Sequence, residues 1–106
     1  MKIDEILKKE SVIANIAGKN KLDVIKEMTE CLKQNNTIKN DQALYATLME
    51  REKLGSTGIG ENVAIPHGKS DELTQIITVF ARSLSGIDFE SLDQKPVHFV
   101  CMVIAP

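Results

Sequence analysis

Aromatic residues make up only 4% of this 106-residue chain and tryptophan is absent. The core must therefore be built from Ile, Leu, Val, Ala and Met, within an apolar fraction of 42%. Cysteine is also scarce. Cys31 and Cys101 lie far apart inside apolar runs, with no CxxC pair and no histidine at ligand spacing, which excludes a zinc site and a redox motif. They read as buried free thiols in a reducing cytoplasm, and a domain of this size needs no disulfide or metal staple. Charge of one sign is lacking too: a formal net charge of −2 leaves no basic surplus for neutralising nucleic-acid phosphates. Neither nucleic acid nor an anionic membrane is an expected partner. No apolar run approaches the roughly 18 residues of a membrane span, and no charged-then-apolar leader is present. A cytoplasmic protein without direct membrane insertion is expected.

The length fits one domain, since domains most often run to roughly 100–150 residues. Ile3, Ile6 and Leu7 sit at helical spacing and predict a helical turn over residues 2–9, leading into a β-branched strand over 11–16. Asn20, with Asp23 three residues on, reads as a helix N-cap. The apolar stripe Leu22, Ile25, Met28 or Thr29, and Leu32 then predicts a helix to about Gln34, ended by Asn35-Asn36. Asn40 or Asp41 opens a second helix, with Leu44, Tyr45, Leu48 and Met49 on its apolar side, reaching Arg51 or Lys53. Residues 75–82 read as a strand that stops before the turn-like stretch 83–86. Residues 97–105 form the clearest strand, and both of its alternating side-chain sets are largely apolar, as in a strand covered on both faces. These elements predict an α/β domain, a mixed β-sheet flanked by helices on both faces. Such a strand needs cover, yet the sequence ends right after it at Ile104-Ala105-Pro106. Either the chain is a piece of a longer domain, or the cover comes from a second copy or another protein.

The stretch 51–69 concentrates the chemistry. His67 stands between Pro66 and Gly68; proline fixes its own φ and restricts the residue before it, so the ring is presented in a set direction. Gly55, Gly58 and Gly60 permit the backbone shapes of an anion-cradling loop. A neutral imidazole has one nucleophilic nitrogen, and a hydrogen bond to the other nitrogen selects which one reacts. Phosphoryl transfer depends mainly on in-line positioning and on donors aimed at the phosphoryl oxygens. Arg51 could grip a phosphoryl group through its guanidinium fork or simply end a solvated helix. Ser56, Thr57 and Gly58 offer hydroxyl or amide donors, or ordinary turn chemistry. His98 reads as a structural strand residue, with the alternative of orienting or screening His67. Nothing has the spacing of a Ser-His-Asp triad, a metal site or a Walker loop.

Glu52, Ser56-Thr57-Gly58, Ile59-Gly60 and Val63-Ala64-Ile65-Pro66-His67-Gly68 together resemble the active-site signature of enzyme IIA of the bacterial phosphoenolpyruvate-dependent sugar phosphotransferase system, fructose/mannitol type. The resemblance extends to the helix from Lys21, to Gly86-Ile87-Asp88-Phe89 and to Pro96-Val97-His98. It implies that His67 accepts a phosphoryl group from the phosphocarrier protein HPr and passes it to a cysteine of a IIB domain, with Arg51 stabilising the phosphohistidine. No cofactor or metal is implied. Related IIA-like domains act instead as regulators in the nitrogen-related branch, and a passive anion-binding module is a third reading. Domains of this family normally continue past the last strand into further helices, so the chain is expected to be one IIA domain, shortened at its C-terminus, that self-associates through an uncovered sheet face.

Overall fold

The computed structural model describes Ile3 and residues 7–106. The elements are β1 (Leu7–Ile13), α1 (Lys21–Gln34), α2 (Asp41–Lys53), β2 (Gly58–Gly60), β3 (Val63–Ala64), β4 (His67–Lys69), β5 (Ile77–Ile87) and β6 (Val97–Ala105). The helical turn expected over residues 2–9 lies largely outside the described residues, and its end, from Leu7, belongs to β1.

Both helices form where local capping predicts them. The Asn20 side chain accepts from Asp23 N at 2.9 Å and donates to its carboxylate at 3.1 Å, satisfying amides that a helix start leaves unpaired. Asn35 and Asn36 close α1, the latter at φ 63°, in the left-handed region where asparagine is tolerated. Asn40 caps α2 through Ala43 N at 3.0 Å. The inward stripe of α1 consists of Val24, Ile25, Met28 and Leu32; Leu22, expected on that stripe, is 52% exposed. In α2, Leu44 and Leu48 are buried, while Tyr45 and Met49 pack at the edge of the core.

The sheet is mixed, in the order β1-β5-β6-β3-β2, with β4 also paired to β6. β1 runs parallel to β5, β5 antiparallel to β6, and β3 and β4 both parallel to β6. One edge of β6 is thus filled by β5 and the other by β3 and then β4, which pair at Phe99–Val100 and at Val103, Ile104 and Ala105 respectively. Pro66 lies in the gap and has no N–H to give to a ladder. Its carbonyl still accepts from Val103 N at 3.0 Å, keeping the broken strand attached. β5 outruns its expected end: Ser83 Oγ accepts from Gly86 N at 3.0 Å and the strand continues, with a register irregularity, to Ile87.

Val79 and Ala81 pair with Met102 and Val100, and these four are fully buried with Ile104 in one cluster that includes the inward residues of both helices. Burying a Leu or Ile side chain stabilises by roughly 1.5–3 kcal/mol, so this layer supplies most of the driving force. The opposite face carries Val12, Phe80, Phe99, Cys101 and Val103, and no second helical layer covers it among the described residues. Phe99 is 43% and Val12 45% exposed, and the Phe80 and Phe99 rings lie 6.2 Å apart. The two apolar sets of β6 therefore differ: one is sealed and the other half covered. Cys31 and Cys101 are half-buried free thiols. Burial pushes both thiols up from their ordinary pKa, and Glu27 adds to the effect at Cys31. No described helix is long and apolar enough to cross a membrane.

The Glu72 carboxylate accepts from Asn40 N at 3.0 Å and Lys39 N at 2.7 Å, ahead of α2. These bonds hold its pKa below the ordinary 4.5. A carboxylate depressed in the folded state contributes stability above its unfolded pKa and loses it as pH falls through the lower folded value. Chemical denaturation from pH 7 down to pH 3 should show the wild type losing more stability below about pH 4.5 than Glu72→Gln does.

Candidate functional site

His67 opens β4 opposite Val103 and is exposed, whereas the preceding Pro66 is buried. Its Nδ1 lies 2.9 Å from the Ile65 carbonyl oxygen. A carbonyl only accepts, so Nδ1 carries the proton. Arg51 Nε lies 3.3 Å from His67 Nε2, and a guanidinium only donates, so Nε2 is the unprotonated nitrogen. Two independent partners therefore select the same tautomer, with the nucleophilic lone pair on the nitrogen beside Arg51.

The surrounding elements fix this geometry. Arg51 leaves the last turn of α2 and donates through Nη1 to the Gly55 carbonyl at 2.9 Å. Gly68 follows His67, and a Cβ there would come within 3.3 Å of both Leu48 and Thr47. Glycine thus lets β4 lie close against α2, which brings His67 and Arg51 together. Thr47, Arg51, His67, Gly68, Lys69, Val103 and Ala105 line an open, mostly apolar depression at the histidine. A larger concavity lies elsewhere, along residues 85–96 and Lys19, and contains none of these side chains.

Ser56, Thr57 and Gly58 engage other parts of the fold. Ser56 Oγ donates to the Phe89 carbonyl at 2.8 Å and accepts from Gly58 N at 3.1 Å. Thr57 donates through both its hydroxyl and its N–H, the latter at 3.1 Å, to the Glu52 carboxylate. A Cβ on Gly58 would overlap the Ser91 side chain. Gly58 and Gly60 lie in β2, which runs antiparallel to β3 and pairs with it at Gly58 and Ala64. His98 points its Nδ1 at the Ser83 carbonyl, 2.8 Å away. It stands five residues before Val103, the partner of His67, or about 16 Å along a strand, so the sheet does not bring the two rings together. Among the described residues no group of three or more His, Cys, Asp or Glu could hold a metal ion.

Sequence reasoning gave Glu52 a place in a motif but no role. Its carboxylate is buried, 3.1 Å from Lys21 Nζ at the start of α1. Lys21 Nζ also lies 5.3 Å from the centre of the Phe89 ring and 3.8 Å from Glu90. Removing one member of a buried pair leaves the other charge uncompensated, at a cost of about 3–5 kcal/mol. Glu52→Ala should lower the unfolding free energy by about that amount in urea titration, whereas the exposed pair Lys53–Glu50 should contribute under about 1 kcal/mol.

Residues 5–106 match the family described as phosphoenolpyruvate-dependent sugar phosphotransferase system, EIIA 2. The chain is 42% identical over 105 residues to the PTS system fructose-specific EIIABC component of Bacillus subtilis, covering 99% of this chain and 16% of that protein. It is 37% identical over 106 residues to a nitrogen regulatory protein of Bradyrhizobium diazoefficiens, covering 100% of this chain and 69% of that one. The crystal structure of nitrogen regulatory protein IIA-Ntr from Neisseria meningitidis superposes with a TM-score of 0.88 at 31% identity, over 98% of this chain and 70% of that one. With the fold, the signature and these likenesses in agreement, the chain belongs to the EIIA 2 family of the phosphoenolpyruvate-dependent sugar phosphotransferase system.

Proposed function

We propose that this chain is a phosphoryl carrier of the sugar phosphotransferase chain, with His67 as its phosphohistidine. The observation that supports this best is the tautomer: Nδ1 is tied to the Ile65 carbonyl, and Nε2 stands exposed beside Arg51. In the proposed reaction the Nε2 lone pair attacks the phosphorus of a phosphoryl group carried by HPr, and the bond to the donor nitrogen breaks. The Nδ1 proton stays on the ring, hydrogen-bonded to the Ile65 carbonyl, which steadies the positive charge developing there. Arg51 turns its N–H donors to the phosphoryl oxygens and spreads their charge. A cysteine thiolate of a IIB domain then attacks the same phosphorus and frees Nε2. Ser56, Thr57 and Gly58 serve by holding the loop, and His98 by bonding β6 to β5. The reading needs no metal or cofactor and places the protein in the cytoplasm.

The likeness to a fructose-specific component supports a fructose-type sugar. The likeness to nitrogen regulatory proteins supports a second reading, in which the phosphorylation state of His67 is itself the output. Transfer of label from His67 to a IIB cysteine and on to fructose separates them.

Incubation with phosphoenolpyruvate, enzyme I and HPr should place acid-labile phosphate on the wild type and none on His67→Ala; label that persists in the variant overturns the assignment. Arg51→Ala should fold normally and accept phosphate more slowly, by on the order of a hundredfold. We further propose self-association through the half-covered face of Phe80 and Phe99. A monomer by light scattering that also binds no hydrophobic dye would count against it.

A further inference from the structure

The Glu52 carboxylate takes no part in the chemistry above, although Glu52 adjoins Arg51 in sequence. Its side chain points into the interior, where it accepts from Thr57 N and the Thr57 hydroxyl and pairs with Lys21. The turn after α2 is therefore tied to the end of that helix from within, and Gly55 N also donates to the Glu52 carbonyl at 3.1 Å. The carbonyl of Gly55, in the same turn, accepts from Arg51 Nη1 at 2.9 Å. The same guanidinium places Nε 3.3 Å from His67 Nε2. A free arginine side chain samples many rotamers, and ordering it costs conformational freedom. An acceptor fixed before the phosphoryl group arrives moves that ordering out of the transfer step.

We propose that Glu52 and Thr57 are positioning residues for transfer at His67. The buried carboxylate fixes the turn, the Gly55 carbonyl of that turn aims Arg51, and Arg51 meets the nucleophilic nitrogen. The proposal rests on the phosphoryl-carrier reading and deepens it. Lys21 supplies the countercharge from α1, so the first helix takes part in aiming a group on the second. Gly55 suits its place because its φ is +148° and it is exposed, with open space where a Cβ would stand. A side chain there would strain the backbone and turn the carbonyl without touching the core.

The test uses Thr57→Val, which keeps the shape and removes the hydroxyl donor, and Gly55→Ala, which shifts the carbonyl from the surface. Each is made in the wild-type and in the Arg51→Ala background. In the wild-type background both should slow phosphoryl transfer from phosphorylated HPr by on the order of tenfold to a hundredfold. In the Arg51→Ala background both should leave the remaining rate unchanged, because the group they aim is gone. Equal losses in the two backgrounds, or no loss in either, would overturn the proposal. Should Thr57→Val fail to fold, Glu52→Gln, which keeps the side chain's shape and removes its charge, takes its place in both backgrounds with the same outcomes expected. Solvent exchange of the Arg51 Nε–H, followed by NMR, supplies a readout that does not depend on the reaction. It should be slow in the wild type and fast in Gly55→Ala, and equal exchange in the two would sink the positioning claim. A wild type that takes no phosphate from HPr while showing this exchange difference would remove the carrier reading and leave the positioning intact.

Discussion

One buried carboxylate ties four parts of this molecule together. Glu52, in the last turn of α2, pairs with Lys21 at the start of α1 and takes both donors of Thr57 ahead of β2. Through Lys21 it also reaches the Phe89 ring in the segment between β5 and β6. A charge without partners in that position would cost several kcal/mol. Alternative packings of the segment after α2 are penalised accordingly, because each leaves the carboxylate or the ammonium short of partners. The apolar layer beneath the helices supplies most of the driving force, but it is tolerant of small shifts. The ionic knot is directional, and it sets where the end of α2 stands relative to the sheet edge that carries His67.

What could be read in the sequence follows from how local each interaction is. The starts of both helices were legible because Asn20 and Asn40 bond residues three positions on. The last strand was legible because it is long and continuously apolar. The strands β2, β3 and β4 were not, since each has only two or three residues and is held by partners far away in sequence, such as Val103 for His67. The continuation of β5 is hidden in the sequence because Ser83, Ser85 and Gly86 have turn composition, while a contact that holds the extended strand comes from His98 in β6. At the site, His67 and Arg51 were legible by residue type and spacing. The directions of the Ser56 and Thr57 hydroxyls were not, because Phe89 and Glu52 set them. Glu52 itself lies among Glu50, Arg51 and Lys53, and a charged run at a helix end gives no sign that one member faces inward.

The two sides of β6 show a related limit. Val100, Met102 and Ile104 are sealed under the helices, while Phe99, Cys101 and Val103 alternate with them on the half-covered side. Apolar composition identifies both sides as surfaces that avoid water, but it carries no information about what lies against either. The sheet order resolves the matter for the described residues. Both helices lie between β1 and β2 in sequence and pack on the same side of the sheet, leaving Phe80 and Phe99 in contact with each other.

Under the proposed carrier role, the break in the strand at Pro66 bears on how a partner would tell the loaded form from the empty one. Both sides of the break remain bonded to β6, through Ala64 and Pro66 to His67, so the backbone under the histidine is anchored before any phosphoryl group arrives. The ring N–H is already engaged by Ile65. A phosphoryl group on Nε2 would bring negative charge, offset only in part by the protonated ring, to a surface whose shape is already set. The loaded and empty forms would then differ chiefly as electrostatic surfaces. A partner would sense that difference as attraction or repulsion acting over about a Debye length of 8–10 Å, before it touched the histidine.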